Sequence, residues 1–182
     1  MLFPQFGLET NEYGWSPAGV WAKPRPLKSH NLVMTLIHVL IMFLGEYSHT
    51  IDNKGRLTIP SKYRDTLATE LVVTRGIGSN LAIYPLDEWE KLTERILSRP
   101  MSNPQVMNFR RRVFSAADNL KPDRQGRILI PTKLREFANL GEKVVIVGNF
   151  QFLEIWNLTE WGTIQQQIEI GEDFTGVDDL GI

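Results

Sequence analysis

Between residues 42 and 168 the spacing of hydrophobic positions changes period several times, and each change predicts an element. Leu57-Thr58-Ile59 and Ile128-Leu129-Ile130 are short apolar runs that suit strands. Leu71-Val72-Val73-Thr74 and Leu81-Ala82-Ile83-Tyr84 read as a strand pair around Gly76 and Gly78, and residues 144–147 and 152–156 read as its equivalent. The period then lengthens. Trp89, Leu92 and Ile96 share one face of a helix over residues 87–97, and Trp161, Ile164 and Ile168 do the same near the C-terminus. Asn103-Pro104 opens a further helix carrying Val106, Phe109, Val113 and Phe114, whose aromatics are read as core. Pro60 and Pro131 suit the first position of a helix, where the missing N–H has no partner to lose. Short helices are therefore expected over residues 61–67 and 132–139, with Gly141 closing the second.

These elements occur twice because the chain repeats itself. Residues 52–64 align with residues 123–135 at an offset of 71, with seven of 13 positions identical. Residues 71–89 align with residues 143–161 at an offset of 72, with eight of 19 identical, among them Val72/Val144, Val73/Val145, Gly76/Gly148 and Trp89/Trp161. Two copies are too few for a solenoid, so the chain is a tandem pseudo-symmetric pair. One copy buries too little apolar surface to stand alone, and strands from both are expected to complete a shared core. The fold class is α+β, with repeat 1 at residues 46–88, a helical linker at 89–116 and repeat 2 at 117–160.

Composition adds mostly exclusions. The 182 residues contain no cysteine, which excludes a disulfide scaffold, a Cys-ligated zinc or iron–sulfur site and a cysteine nucleophile. His30, His38 and His49 show no ligand spacing, so neither a metal nor another cofactor is expected. The net charge of −1 is unevenly spread. Residues 42–168 carry 17 Lys/Arg against 14 Asp/Glu, whereas residues 169–182 carry five acidic residues and no basic one. A mildly basic body suits a polyanionic partner, and the acidic, glycine-containing tail at 169–182 reads as disordered. Residues 1–41 lack a helical or strand period until an apolar run from Leu32 to Leu44. Thirteen residues are too few to span a bilayer, which needs about 20, and the run begins too late for a signal peptide. Residues 1–41 are expected to lie outside the domain, either because Met42 is the true first residue or as a disordered arm.

The candidate chemistry lies in the repeated Asp-x-x-Gly-Arg turn. Asp52 and Asp123 can accept hydrogen bonds from the backbone ahead of them, and Gly55 and Gly126 supply a positive φ. These four residues are read as shaping the loop. Arg56 and Arg127 follow the turn immediately, and a guanidinium is well shaped for bidentate contact with guanine or phosphate. Lys54, Arg124, Lys62 and Lys133, with Arg64 and Arg135, flank the turns and could neutralise backbone phosphates. The competing reading is an Asp52–Arg56 and an Asp123–Arg127 ion pair that only pins the loop. Arg110-Arg111-Arg112 fan about 100° apart on a helix and are read as a solvated face or subunit contact.

The repeated turn followed by Ile-Pro and a basic segment, the start Met42-Phe43-Leu44-Gly45-Glu46-Tyr47 and the Trp-containing helices resemble the MraZ family of bacterial regulators. The resemblance covers residues 42 to about 168. It implies two tandem swapped-hairpin (SpoVT–AbrB-like) β modules forming a shared barrel with peripheral helices. It further implies ring-like homo-oligomers and repression of the division and cell-wall gene cluster through upstream repeats in double-stranded DNA, in the cytoplasm and at the nucleoid. No membrane or small-molecule partner is expected, and no catalysis. Two other readings remain open. One is an antitoxin-like protein-interaction module of the same class. The other is an Asp52/Asp123 acid–base dyad, disfavoured because the adjacent arginines would hold both carboxylates ionised.

Overall fold

The computed structural model describes residues 42–170. The N-terminal extension, and the acidic tail beyond residue 170, lie outside the described residues. The elements run β1 (Glu46–Thr50), β2 (Arg56–Thr58), a 3-10 turn (Ser61–Tyr63), β3 (Leu71–Arg75), β4 (Leu81–Pro85), α1 (Leu86–Leu97), α2 (Pro104–Phe114), β5 (Asp118–Leu120), β6 (Arg127–Leu129), α3 (Thr132–Phe137), β7 (Lys143–Asn149), β8 (Phe152–Asn157) and α4 (Leu158–Ile170). The chain is α+β. Residues 169 and 170, expected in a disordered tail, continue α4 instead.

The strands form a six-stranded antiparallel sheet in the order β1-β7-β8-β4-β3-β5 and a two-stranded ribbon of β2 with β6. The large sheet has two edges, β1 and β5, and no strand pairing among the described residues closes it into a barrel. Its wiring exchanges strands between the copies. β1 of copy 1 pairs with β7 of copy 2, and β5 of copy 2 pairs with β3 of copy 1.

The register exposes a pseudo-two-fold axis. Leu57 pairs with Ile128, its own equivalent, and Ala82 pairs with Glu154, again its own equivalent. Across β3 and β7 the structure corrects the alignment by identity. Val73 pairs with Ile83 and Ile146 with Ile155, so Val73 corresponds to Ile146 and Leu71 to Val144, an offset of 73. A one-residue slip turns every side chain of a strand to the other face. Aligning Val72 with Val144 would equate a residue outside the main core with one inside it. The copies absorb the difference in the β3–β4 and β7–β8 connections.

The main core is then built largely of equivalent pairs, Leu57/Ile128, Ile59/Ile130, Tyr63/Leu134, Leu67/Ala138, Leu71/Val144, Val73/Ile146, Leu81/Leu153 and Ile83/Ile155, with Phe43 and Ile51 added from the first copy's side alone. The opposite sheet face carries Val72, Ala82, Val145 and Trp156, all buried, beside an aromatic layer. There Tyr84 stacks on Phe152 at 4.8 Å between centroids, Trp89 meets Tyr84 and Phe114, and Trp161 meets Trp156. The aromatics of α1 and α4 thus serve packing on that face.

Local chemistry sets the ends of the helices. Asn103 caps α2 by accepting from the N–H groups of Gln105 and Val106. The segment after Pro60 is a single 3-10 turn, shorter than the helix expected there, whereas α3 after Pro131 is a true α-helix. α3 is closed not by Gly141 but by Asn139 at φ 47°, with Leu140 N–H donating to Arg135 O and Asn139 N–H to Glu136 O. This is a Schellman closure with asparagine in the left-handed position.

Candidate nucleic-acid interface

Each Gly-Arg turn is held by its aspartate. Asp52 Oδ1 accepts from the backbone N–H groups of Lys54 and Arg56, both at 2.9 Å, and Asp123 Oδ1 accepts from Gln125 and Arg127 at 2.8 and 3.0 Å. Asp52 N–H donates to Arg56 O and Gly55 N–H to Asp52 O, and the second turn repeats both bonds. Gly55 and Gly126 sit at φ 81° and 72°, a conformation that disfavours any side chain.

The second carboxylate oxygen takes the arginine. Arg56 Nε and Nη2 reach Asp52 Oδ2 at 2.7 and 2.6 Å, and Arg127 Nε and Nη2 reach Asp123 Oδ2 at 2.8 and 2.7 Å. These contacts, led by the arginine side-chain bond, hold both carboxyls at about 2, below their ordinary value of 3.8. Both aspartates therefore stay ionised at neutral pH, which leaves neither able to donate a proton as an acid–base dyad requires. The loop-pinning ion pair expected as the competing reading is present in both copies. It does not consume the arginine. Nε and Nη2 are engaged, Nη1 has no partner among the described residues, and roughly a third of each side chain stays exposed.

The ribbon brings the two turns together. Arg56 lies opposite Leu129 and Thr58 opposite Arg127. Because side chains alternate along a strand, these four share the outer face of the ribbon while Leu57 and Ile128 fill the core. Leu129 is 57% exposed there. Lys54 and Arg124 stand exposed at the turns, and Lys62 and Lys133 stand exposed just beyond Pro60 and Pro131. Lys62 Nζ lies 5.5 Å from the Tyr63 ring centroid.

Arg64 and Arg135 do something other than flank. Arg135 donates from Nε to Ile130 O, and its guanidinium covers Gly55 of the other copy. Arg64 donates to Ile59 O and covers Gly126. The turns are further tied across the axis by Ile59 N–H to Gly126 O and Ile130 N–H to Gly55 O, at 2.8 and 2.9 Å. Each turn thus rests on the other copy's arginine. The only sequence signal for this was identity at the last position of the 13-residue repeat. Within the arginine run, Arg112 is a correction: its guanidinium donates to Gly76 O, Ile77 O and Gly78 O and fixes the β3–β4 loop. Arg111 donates to Asn108.

Among the described residues there is no cluster of His, Asp and Glu able to hold a metal ion, and no helix long and apolar enough to cross a membrane. What the fold and site define is a class of α+β proteins in which two tandem copies present paired Asp-x-x-Gly-Arg turns on one ribbon. Residues 42–112 and 113–179 each match the family described as "MraZ protein, putative antitoxin-like". The chain belongs to the MraZ family. It is 46% identical over 123 residues to a protein of Herpetosiphon aurantiacus, covering 68% of this chain and 86% of that one. It is 43% identical over 128 residues to one of Desulfitobacterium hafniense, covering 70% and 90%. With a protein of Halothermothrix orenii it shares 41% over 143 residues, covering 78% and 100%. Each of these three is named "Transcriptional regulator MraZ".

Proposed function

We propose that this chain is a sequence-specific DNA-binding transcriptional regulator and not an enzyme. Arg56, Arg127, Lys54, Arg124, Lys62 and Lys133 contact double-stranded DNA, while Asp52, Gly55, Asp123 and Gly126 shape the turns. Residues 46–88 and 117–160 are SpoVT–AbrB-like swapped-hairpin modules, linked by 89–116. Ring-like homo-oligomers in the cytoplasm, at the nucleoid, repress the division and cell-wall gene cluster through upstream repeats. The names of the relatives support transcriptional regulation, and the exchange of β1 and β5 supports the swapped arrangement.

The observation that carries the reading is that Arg56 and Arg127 reach one outer face of a two-stranded ribbon. A β-ribbon fits the major groove, where a guanidinium is well shaped for guanine O6 and N7. Each aspartate fixes its arginine's plane in advance, so little side-chain freedom is lost on binding. Copies joined in one oligomer would present several such ribbons to spaced repeats and gain affinity through effective concentration.

Fluorescence anisotropy of the full chain with DNA from upstream of its own gene, against scrambled DNA and across a salt series, tests this. The expected result is a preference for its own DNA, with log affinity falling by about 0.9 per phosphate neutralised against log salt. Arg56→Ala or Arg127→Ala abolishes that preference with the fold intact. Unchanged affinity in both variants would remove the site assignment. An absence of preference at low salt in a folded protein would favour the protein-interaction reading, which the family's description as antitoxin-like also suggests.

A further inference from the structure

Away from the turns, three arginines from two elements meet around one groove. The groove is open, holds about 590 Å3 and is lined by Arg75, Asn108, Phe109, Arg111, Arg112 and Ser115. Arg75 ends β3, and the other five come from α2 and its C-terminal cap. No carboxylate is among the lining residues. Thr74 Oγ1 donates to Val113 O at 2.7 Å in a buried bond that fixes α2 against β3, so the fold sets the walls.

Only Arg112 is accounted for by packing. Its Nε and Nη2 anchor the β3–β4 loop, while Nη1 has no acceptor among the described residues. Arg111 is exposed and gives one bond, from Nη1 to Asn108. The Arg75 Nε is buried without an acceptor. Its guanidinium lies 4.6 Å from the Phe137 ring centroid, and that of Arg112 lies 5.3 Å from the same point. A buried donor without a partner costs free energy, and like charges drawn together repel. The carbonyl end of α2 contributes only about half a negative charge against three full positive ones, so the groove stays positive. The second copy has no such feature at this place. By register Gly148 stands where Arg75 does.

We infer that this groove binds a small phosphate-bearing anion with two or more negative charges. Guanidiniums pair with phosphate oxygens in bidentate fashion, and Asn108 and Ser115 add polar groups beside them. Phe109, 39% exposed, offers an apolar wall to the rest of the molecule. A single carboxylate would leave most of the positive charge unmatched. The volume falls within the range of small-molecule sites, about 300–1,000 Å3. None of the residues proposed to meet DNA lines the groove, so the site stands apart from that reading.

Isothermal titration calorimetry of the full chain with pyrophosphate, at fixed ionic strength, tests it. One site per chain is expected, weakened about tenfold or more in each of Arg75→Gln and Arg111→Gln. Arg111 is exposed, so its variant is expected to melt within a few degrees of the unaltered chain. That variant keeps the test decisive if Arg75→Gln disturbs the packing of Phe137. Arg56→Ala/Arg127→Ala leaves pyrophosphate binding unchanged, because those arginines belong to the ribbon. The inference is overturned if pyrophosphate does not bind, or if Arg111→Gln binds it as tightly as the unaltered chain. It is overturned too if Arg56→Ala/Arg127→Ala abolishes binding, which would put the anion on the ribbon. Weaker DNA binding by Arg111→Gln in the anisotropy assay, with no pyrophosphate present, would also overturn it, since the groove would then be an outlying part of the DNA interface. Failure of the unaltered chain to bind DNA would leave the pyrophosphate result standing.

Discussion

The two Gly-Arg turns match bond for bond, with equivalent distances differing by about a tenth of an ångström, while the segments around them diverge. After the first turn comes a single 3-10 turn, and after the second an α-helix. The β3–β4 loop is pinned by the Arg112 guanidinium. The β7–β8 loop is pinned instead by main chain, through Phe43 N–H to Phe150 O and Phe150 N–H to Phe43 O. The difference locates the demand. Geometry is held constant where two arginines must meet on one ribbon and is free to vary where a loop needs only some anchor.

The largest effect expected from breaking this comparison is at the second loop. A Cβ at Gly148 would fall on the backbone of Phe43 and Leu44, which cannot swing aside as a side chain can. Gly148→Ala should cost about 3 kcal/mol, the upper range for overpacking, read as a lower urea midpoint at unchanged slope. At Gly76, its counterpart by sequence identity, the atoms nearest such a Cβ belong to the Asn80 side chain. Gly76→Ala should therefore cost less, and an equal loss would remove the distinction between the two anchors.

The turns themselves should respond alike. Gly55→Ala and Gly126→Ala each place a side chain at positive φ and within 3 Å of an arginine from the other copy. Each should lose about 1–2 kcal/mol for the left-handed conformation alone, and thermal melts of the two should shift by similar amounts. A large disparity would break the equivalence of the turns.

The smallest effect is the response to acid. Asp52 and Asp123 titrate at about 2 in the folded chain against an ordinary 3.8. Their contribution to stability is therefore complete above the ordinary value and is lost as pH falls from about 4 through about 2. Unfolding midpoints for this chain and for Asp52→Asn/Asp123→Asn should converge across that window and stay parallel between pH 5 and 7. Convergence already at pH 6 would point to another group.

The turns were legible because their chemistry is local. Asp, Gly and Arg at fixed spacing dictate an Asx-type loop with one positive φ, and both copies show it. The strand pairs and helices α1, α2 and α4 were legible from periodicity for the same reason, while α3 was legible from Pro131 ahead of it and the same signal at Pro60 yields only a 3-10 turn. Three things were not. Val72/Val144 and Val73/Val145 look like matches because valine occupies both faces of these doubly buried strands, so identity cannot detect a one-residue slip. The partners of β1 and β5 lie in the opposite copy, and nothing within Glu46–Thr50 or Asp118–Leu120 encodes a distant edge. Arg64 and Arg135 looked like surface cations because their roles depend on a glycine brought in from the other copy by the fold.

The exchange of first strands sets a constraint on how this protein comes into being. β1 leaves the ribosome early, yet its partner β7 is not made until residues 143–149 have been synthesised. Until then an unpaired strand edge and one half of each core pair have nothing to bury them, the condition that invites aggregation in nascent chains. Closing that gap late also requires a long loop to be brought together at once, which slows the final step. A chain interrupted between the copies would be an orphaned half rather than a smaller working module, and a candidate for chaperones and proteases.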